Sequence, residues 1–182
     1  DEVTSEMRSA AKAVNFGIVY GISDFGLARQ LGISRKEAAR YIELYFMRYP
    51  GVHTYLKGCV ERAKQQGAAT TLFGRRREMP ELKSSNYNTR SFGERVAMNM
   101  PIQGTAADII KLAMVRVHNE LKARGMKSEL ILQIHDELII DAVQEEADAA
   151  AEILKSCMEN VVNLKVPLLA EVHTGHSWFD TK

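Results

Sequence analysis

The sequence has little cysteine, no long apolar run and almost no net charge. Only two cysteines occur in 182 residues, Cys59 and Cys157, and they show no metal-ligand spacing. This excludes a disulfide scaffold and favours free thiols in a reducing compartment. No apolar run approaches the roughly 18 residues that a membrane span requires. Because the first residues are polar and acidic, unlike a secretion signal, we expect a cytoplasmic protein with no membrane partner.

The net charge of +1 conceals a separation of charge along the chain. Residues 1–128 hold 21 Lys and Arg against 12 Asp and Glu, a net charge of +9, whereas residues 129–182 hold 3 against 11, a net charge of −8. The basic part could hold phosphates and the acidic part metal ions. Solvated helix faces that happen to differ in sign would give the same counts. With 46% hydrophobic residues, the chain can form one substantial core or two small lobes.

Two cations and two aromatic rings recur at helical spacing near the N-terminus. Arg8, Lys12, Phe16 and Tyr20 are each four residues apart, and Gly21 follows at once. On one helix they would form a slanted ridge about 18 Å long. The cations would neutralise a triphosphate, and the rings would lie near its sugar and base. The alternative is an ordinary amphipathic helix with solvated cations and its rings in the core.

An acidic turn between two apolar segments is the second informative pattern. Leu130-Ile-Leu-Gln-Ile-His135-Asp136-Glu137-Leu-Ile-Ile predicts a hairpin over residues 128–142 that turns at His135-Asp136. A side chain at the tip, that of Asp136, projects away from the sheet and is open to solvent and metal ions. Glu137 would ordinarily point to the other face. Taken alone, Asp136 could also be a simple turn former.

Both patterns resemble motifs of one enzyme family. Arg8-Ser-Ala-Ala-Lys12-Ala-Val-Asn-Phe16-Gly-Ile-Val-Tyr20-Gly21 is similar to the fingers-helix motif of family A DNA polymerases, the bacterial DNA polymerase I type. The hairpin around Asp136 is similar to the palm motif that carries a catalytic aspartate. Two more segments resemble the intervening and terminal palm: Arg95-Val-Ala-Met-Asn99-Met-Pro-Ile-Gln103-Gly-Thr-Ala-Ala-Asp108 and His173-Thr-Gly-His-Ser-Trp178. The resemblance therefore spans nearly the whole chain.

The resemblance implies template-directed DNA synthesis, in which a primer 3′ hydroxyl attacks the α-phosphate of a dNTP with the help of two Mg²⁺ ions. In such an enzyme Arg8 and Lys12 would bind the triphosphate. Phe16 would pack against the sugar, and Tyr20 would gate the pocket of the templating base. The catalytic residues that it implies are Lys12, Glu137 and Asp136, of which Asp136 is also the metal ligand.

Contacts with primer-template DNA are implied for six side chains: Arg75, Arg76, Arg95, Asn99, Gln103 and His135. The first two belong to the arginine triplet of residues 75–77, the densest positive charge in the chain, in a loop or short hairpin that lies near the template strand in family members. Residues 95, 99 and 103 step by four and would read minor-groove acceptors from one helix face. Arg95 could instead pair with a neighbouring carboxylate. We expect His135 to be structural or to contact the primer end, because oxygen ligands suit Mg²⁺ better.

The predicted fold is α+β, with a helical fingers subdomain over residues 1–92 and the C-terminal part of the palm over residues 93–182. A small antiparallel sheet should pack on the palm helices. The predicted elements after the ridge helix are a short helix through Leu31, helices over Ser34–Arg48 and Val52–Gln66, a helix from about Arg90 that breaks at Pro101 and resumes near Gln103 to reach Arg124, the acidic hairpin, a helix over Gln144–Asn163, and a last strand over Leu168–His173 in the hairpin's sheet.

One part of the family pattern is missing. The family's other metal-binding aspartate ends a strand N-terminal to the fingers helix, and no such strand precedes Arg8. With the lack of an initiator Met, this predicts a fragment that is inactive alone and needs the rest of the palm, the thumb and other polymerase domains. The alternative function is a non-catalytic nucleotide- and DNA-binding module derived from a polymerase. A helix-turn-helix regulator around residues 32–37 is a distant third hypothesis.

Overall fold

The computed structural model describes residues 3–181, an α+β arrangement of helices with two small antiparallel sheets. The backbone divides into two compact units, one that ends at Thr105 and one that starts at Ala106. The boundary that we predict between fingers and palm, after residue 92, is a functional division and stays a prediction. Each unit has its own apolar core.

Four helices open the first unit: α1 (Ser5–Val19), α2 (Asp24–Leu31), α3 (Arg35–Arg48) and α4 (Pro50–Gln66). The first three begin after a hydroxyl residue whose side chain accepts a backbone N–H bond, which satisfies a donor that the helix cannot pair. At α3 this is the predicted capping box of Ser34 and Glu37. Pro50 occupies the first turn of α4, where no N–H is needed, so this helix begins earlier than the predicted Val52.

A short hairpin and a long helix complete the first unit. Strand β1 (Ala68–Thr70) pairs antiparallel with β2 (Arg76–Glu78), which places Ala69 opposite Arg77. A 3₁₀ turn over Pro80–Lys83 follows. The core below the hairpin is made by small and medium apolar side chains: Ala63, Ala69, Met79, Leu82 and Ala97.

The predicted break at Pro101 is wrong, because α5 runs continuously over Tyr87–Ala123 with the proline inside it. Proline removes one helical N–H bond and commonly costs about 3 kcal/mol in a helix interior. Buried apolar residues on both sides of it favour continuation: Ala97 before the proline, and Ala113 and Val117 after it. Burial therefore outweighs the local penalty, and residues 95, 99 and 103 stay on one helix.

The second unit contains the predicted acidic hairpin. Strand β3 (Glu129–Ile134) pairs antiparallel with β4 (Glu137–Asp141), and Ile134 lies opposite Glu137, which leaves His135 and Asp136 as the turn. The hairpin packs with α5 and with α6 (Ala147–Glu159), which is shorter than the predicted helix over Gln144–Asn163. The residues buried here include Val117, Leu121, Leu138, Ala150 and Ile153.

The predicted strand over Leu168–His173 is wrong. Within residues 3–181 the hairpin sheet has two strands, and this segment has no regular backbone pairing. The backbone N–H of Ala170 donates instead to Glu159 Oε1, at 3.1 Å, and Leu169 is 83% exposed. An apolar segment forms a strand only where it can pair with the edge of another strand. Here the backbone N–H of Ala170 bonds to a side chain of α6 instead. No helix in the described part of the chain is long and apolar enough to cross a membrane.

Candidate nucleotide and metal sites

Helix α1 forms the predicted ridge. Arg8, Lys12 and Phe16 lie on the helix, and Tyr20 is its C-terminal cap, whose N–H donates to the Phe16 carbonyl at 2.9 Å and so continues the helical spacing. The buried side of α1 is elsewhere, at Ile18 and its neighbours. All four ridge side chains are exposed, and Phe16 keeps 59% and Tyr20 46% of its surface. The rings are therefore not core residues, which argues against an ordinary amphipathic helix.

Gly21 sets the direction in which the chain leaves the ridge. Its φ of 70° lies in the left-handed region, which residues other than glycine rarely adopt. A Cβ atom at this position would also lie 2.5 Å from Met98 Cε and 2.9 Å from Arg95 Cγ. The glycine thus permits both the turn and a close approach of α1's end to α5, which brings the ridge beside the second predicted contact surface.

The ridge cations have no partner within the described part of the chain. Across residues 3–181 the side chains of Arg8 and Lys12 make no hydrogen bond or ion pair, whereas other surface cations do, such as Arg35 with Asp24 at 2.7 Å. Two unneutralised cations about one helical turn apart, followed by two exposed rings, give a surface suited to an anionic group joined to a flat one. A nucleoside triphosphate has that form.

A basic cavity of about 580 Å³ lies beside the ridge, between the hairpin of the first unit and α5. Its lining includes six of the residues singled out above, Tyr20, Arg75, Arg76, Arg95, Asn99 and Gln103, together with Arg77 and Phe92. Gln103 Nε2 donates to the Tyr20 hydroxyl at 2.9 Å, which joins the end of the ridge to α5. The structure therefore brings the predicted base-pocket residue and the predicted minor-groove readers of α5 to one cavity.

Two α5 side chains in this cavity have informative surroundings. Arg95 donates to Ser91 Oγ at 3.1 Å and its guanidinium lies 6.0 Å from the Phe92 ring centre, so the alternative of a carboxylate partner is not what the described residues show. Asn99 Nδ2 is buried and has no hydrogen-bond acceptor in the described chain. Buried donors are normally paired, so this amide is available to an acceptor from outside the chain.

The arginine triplet divides by environment. Arg76 donates to Glu78 Oε1 at 2.7 Å and to the Gln66 carbonyl at 3.1 Å, so its guanidinium is partly used within the hairpin. Arg77 lines the same cavity and has no such bond among the described residues. The sequence shows three adjacent arginines, and the bonds of Arg76 distinguish it from Arg77. Arg77 is therefore a candidate phosphate contact that sequence reasoning did not select.

The acidic turn has a strained first residue. His135 has a φ of 53°, the one positive φ outside glycine in residues 3–181. Its carbonyl accepts from Gln133 Nε2 at 2.6 Å, which holds the turn. Residues other than glycine are destabilised by about 1 kcal/mol or more in this region. Such a residue is therefore kept where its side chain has another use. The backbone thus presents the His135 and Asp136 side chains at the tip of the hairpin, both exposed.

The two carboxylates of the turn differ in their contacts. Asp136 accepts no hydrogen bond from the described residues, whereas Glu137 Oε2 accepts from Trp178 Nε1 at 3.3 Å. Carboxylate oxygens are suitable ligands for Mg²⁺, so the chemistry of this pair fits the implied ion. Among residues 3–181 no three Asp, Glu, His or Cys side chains converge as a complete ligand set. The turn itself presents two carboxylates, those of Asp136 and Glu137.

The chain is similar to known DNA polymerases. The model of DNA polymerase family A matches residues 1–180. The chain is 58% identical over 181 residues to DNA polymerase I of Caldicellulosiruptor bescii and 54% identical over 182 residues to that of Bacillus caldotenax, covering 100% of this chain and 21% of each relative. It also matches the POL domain of Pol1 from M. smegmatis in complex with DNA primer-template and dNTP, with a TM-score of 0.96 and 45% identity, over 100% of this chain and 32% of that one.

The chain belongs to DNA polymerase family A. It spans about a fifth of the length of the curated relatives that it matches, 21% of each of these two. The matches confirm the family resemblance and the α+β fold inferred from the sequence. The roles of individual side chains stay predictions.

Proposed function

We propose that the chain provides the nucleotide-binding surface and one metal-binding carboxylate of a DNA-directed DNA polymerase, a nucleotidyltransferase that joins a dNTP to a primer 3′ hydroxyl. The observation that carries this proposal is the exposed ridge of α1, whose two cations lack partners in the described chain and whose two rings are not core residues. The M. smegmatis POL domain is in complex with DNA primer-template and dNTP, and ligands of that kind agree with such a surface.

In this proposal the ridge binds the incoming nucleotide along its length. Arg8, with a planar fork of donors, and Lys12, with a mobile point charge, hold the triphosphate and neutralise charge that develops on the departing phosphates. Phe16 packs against the sugar. Tyr20 closes the pocket of the templating base, and its bond to Gln103 ties that pocket to α5.

The DNA contacts of the proposal lie mainly on the basic cavity. Arg95, Asn99 and Gln103 present donors from one face of α5, and minor-groove acceptors occur on every base pair, so such contacts position a duplex without selecting a sequence. Arg75 and Arg76, now with Arg77, would contact phosphates of the template strand. His135 would contact the primer end from the tip of the second hairpin.

The metal part of the proposal assigns Asp136 as a Mg²⁺ ligand, with Glu137 beside it as an accessory catalytic carboxylate. When bound, Mg²⁺ stabilises negative charge on the attacking and leaving oxygens. The chain's own contribution is to hold Asp136 at an exposed turn. We also propose that the isolated chain is inactive, because the other metal-binding aspartate belongs to a further palm segment, and that thumb and other polymerase domains complete the enzyme.

Nucleotide binding tests the ridge directly. A fluorescent dNTP is titrated into the 182-residue chain with and without Mg²⁺, and Lys12→Ala is compared with Lys36→Ala, an exposed lysine on α3. We expect Lys12→Ala to weaken binding about tenfold, as for loss of one charge-assisted contact, and Lys36→Ala to leave it unchanged. Equal effects of the two variants would refute a specific ridge. A dNTP affinity that changes neither with Mg²⁺ nor in Asp136→Ala would favour the non-catalytic module.

Primer extension tests the metal part. The chain, purified to one verified mass, is given primer-template, Mg²⁺ and four dNTPs beside Asp136→Ala. We expect no extension by either protein. Extension that Asp136→Ala abolishes would show that the chain obtains a complete set of carboxylates without further segments, and would refute the proposed inactivity while it supports Asp136.

A further inference from the structure

Glu137 of the acidic turn is contacted by a residue from the end of the chain. Trp178 is the single tryptophan of the sequence, and its indole Nε1 donates to Glu137 Oε2 at 3.3 Å across 41 residues of chain. Trp178 is 39% exposed as a residue, so protein covers more than half of its surface. A large ring held in this way is a fixed donor, in contrast to a flexible surface side chain.

The segment around Trp178 is a defined turn. A 3₁₀ helix covers Trp178–Thr181, Ser177 Oγ donates to Asp180 Oδ2 at 2.7 Å, and Thr181 Oγ1 donates to the Trp178 carbonyl at 2.8 Å. The N–H of Asp180 donates to the Ser177 carbonyl at 3.0 Å. These bonds hold the backbone on both sides of the indole.

Gly175 allows this turn to close. A Cβ atom at position 175 would lie 2.8 Å from Asp180 Cβ and 3.3 Å from the Asp180 carbonyl carbon. The second contact is with backbone, which cannot move aside as a side chain can. The sequence of the terminal segment thus specifies a compact conformation, and the position of the indole follows from it.

The bond changes what Glu137 can do. Glu137 is the first residue of β4, exposed, and its side chain has three rotatable bonds. A hydrogen bond to a charged carboxylate is stronger than a neutral one, so the indole restricts the orientations of this side chain. With Oε2 occupied by the indole, the other oxygen stays available for a cation or its water beside Asp136.

We propose that Trp178 is a positioning residue that orients Glu137 next to Asp136, so that the end of the chain sets the geometry of the acidic turn. The role of the oriented carboxylate in Mg²⁺ binding rests on the proposed function. The orientation itself does not, and the two are measured separately.

The single tryptophan makes the orientation measurable, because the ¹⁵N-labelled chain has one indole N–H resonance. We expect Glu137→Ala to move that resonance and to speed exchange of its proton with water, since the acceptor is lost. Asp136→Ala is the matched control in the same turn and should change neither. An indole resonance that is equal in the wild type and Glu137→Ala would overturn the proposal.

The effect on metal is tested by titration with Mg²⁺ alone, using Trp178→Phe, Glu137→Gln and the double variant. We expect each single change to weaken Mg²⁺ binding by a similar factor of about tenfold, the lower end for residues that orient a metal ligand, and the double variant to lose no more than either. If the factors by which the two single changes weaken Mg²⁺ binding multiply in the double variant, the coupling is overturned. Gly175→Ala, which keeps the indole and displaces its turn, should reproduce Trp178→Phe if the fold is intact.

These arms separate the two proposals. If Asp136→Ala leaves Mg²⁺ binding unchanged, the metal assignment of the proposed function fails, while the indole resonance still decides whether Trp178 orients Glu137. If the indole responds to Asp136→Ala as strongly as to Glu137→Ala, the specific contact is refuted whatever Mg²⁺ does.

Discussion

The two units of this chain present functional groups in different ways. Residues 1–105 hold 16 Lys and Arg against 10 Asp and Glu, and their candidate site is a face of regular helix, the α1 ridge with the neighbouring face of α5. Residues 106–182 hold 8 against 13, and their candidate site is a two-residue turn. The difference shows that a helix needs only spacing to align side chains, whereas a turn needs an unusual backbone and support from elsewhere.

The support differs accordingly. Arg8 and Lys12 need no contact with another side chain to stay aligned, because the helix backbone aligns them. The acidic turn depends on a left-handed His135, on the Gln133 side chain and on Trp178 from the end of the chain. We therefore expect the ridge to tolerate distant changes better than the turn does.

The largest expected effects come from core substitutions, which test whether the two units unfold separately. Leu27→Ala, in the first unit, and Leu121→Ala, in the second, each remove a side chain that is at most 3% exposed, and each should cost about 2–5 kcal/mol. Hydrogen exchange should show loss of protection chiefly in the unit that carries the change. Leu72→Ala, at a leucine that is 65% exposed, is the control and should have little effect. Equal loss throughout both units would show that they unfold as one.

The ridge should be sensitive to charge and to salt. Arg8→Ala should weaken dNTP binding about tenfold and flatten its dependence on ionic strength, because one phosphate contact is lost. Arg48→Ala, at an exposed arginine on α3, should change neither quantity. Affinity is measured at two salt concentrations, and equal salt dependence in the wild type and Arg8→Ala would show that Arg8 does not meet the phosphates.

The turn should gain stability when its strain is removed. His135→Gly places glycine where φ is 53° and should raise the free energy of unfolding of the second unit by about 1 kcal/mol. Asp136→Gly is the control, because its backbone does not require glycine, and should be neutral or destabilising. Urea unfolding measures both. A loss of stability in His135→Gly would mean that the histidine side chain supports the turn by contacts that outweigh the strain.

The smallest expected effect is a dependence on acid in the second unit. Glu146 accepts bonds from the Ser128 hydroxyl at 2.6 Å and from the backbone N–H groups of Ser128 and Lys127, and these bonds hold its pKa below the usual value of 4.5. A lowered carboxyl pKa stabilises the fold above pH 4.5, and this stabilisation is lost as the pH falls through the folded-state pKa.

Glu146→Gln should therefore lower stability at neutral pH and flatten the decline of stability in acid. Thermal unfolding between neutral pH and the acid range measures this, with Glu145→Gln, an exposed neighbour, as the control. An unchanged acid profile in Glu146→Gln would show that the Ser128 contacts do not form in solution.

Much of this architecture follows from local patterns in the sequence. The capping box at Ser34, the glycine that ends α4 at Gly67 and the turn at His135-Asp136 all appear where the sequence predicts them, because each depends on residues close in the chain. Apart from shifted helix ends, the wrong predictions concern longer range. Pro101 stays within a helix and Leu168–His173 stays out of a sheet because their neighbours in space decide what burial or pairing is available.

The sequence by itself determined the family, the ridge spacing and the position of the acidic turn, since periodicity and local motifs depend on neighbours within a few residues. The tertiary structure alone decided that Gln103 bonds to Tyr20, that Arg76 is tied to Glu78 and Gln66 while Arg77 is not, and that Trp178 reaches Glu137. Such contacts join residues that are distant in the chain or depend on strand register, and they form only when packing brings donor and acceptor within about 3 Å.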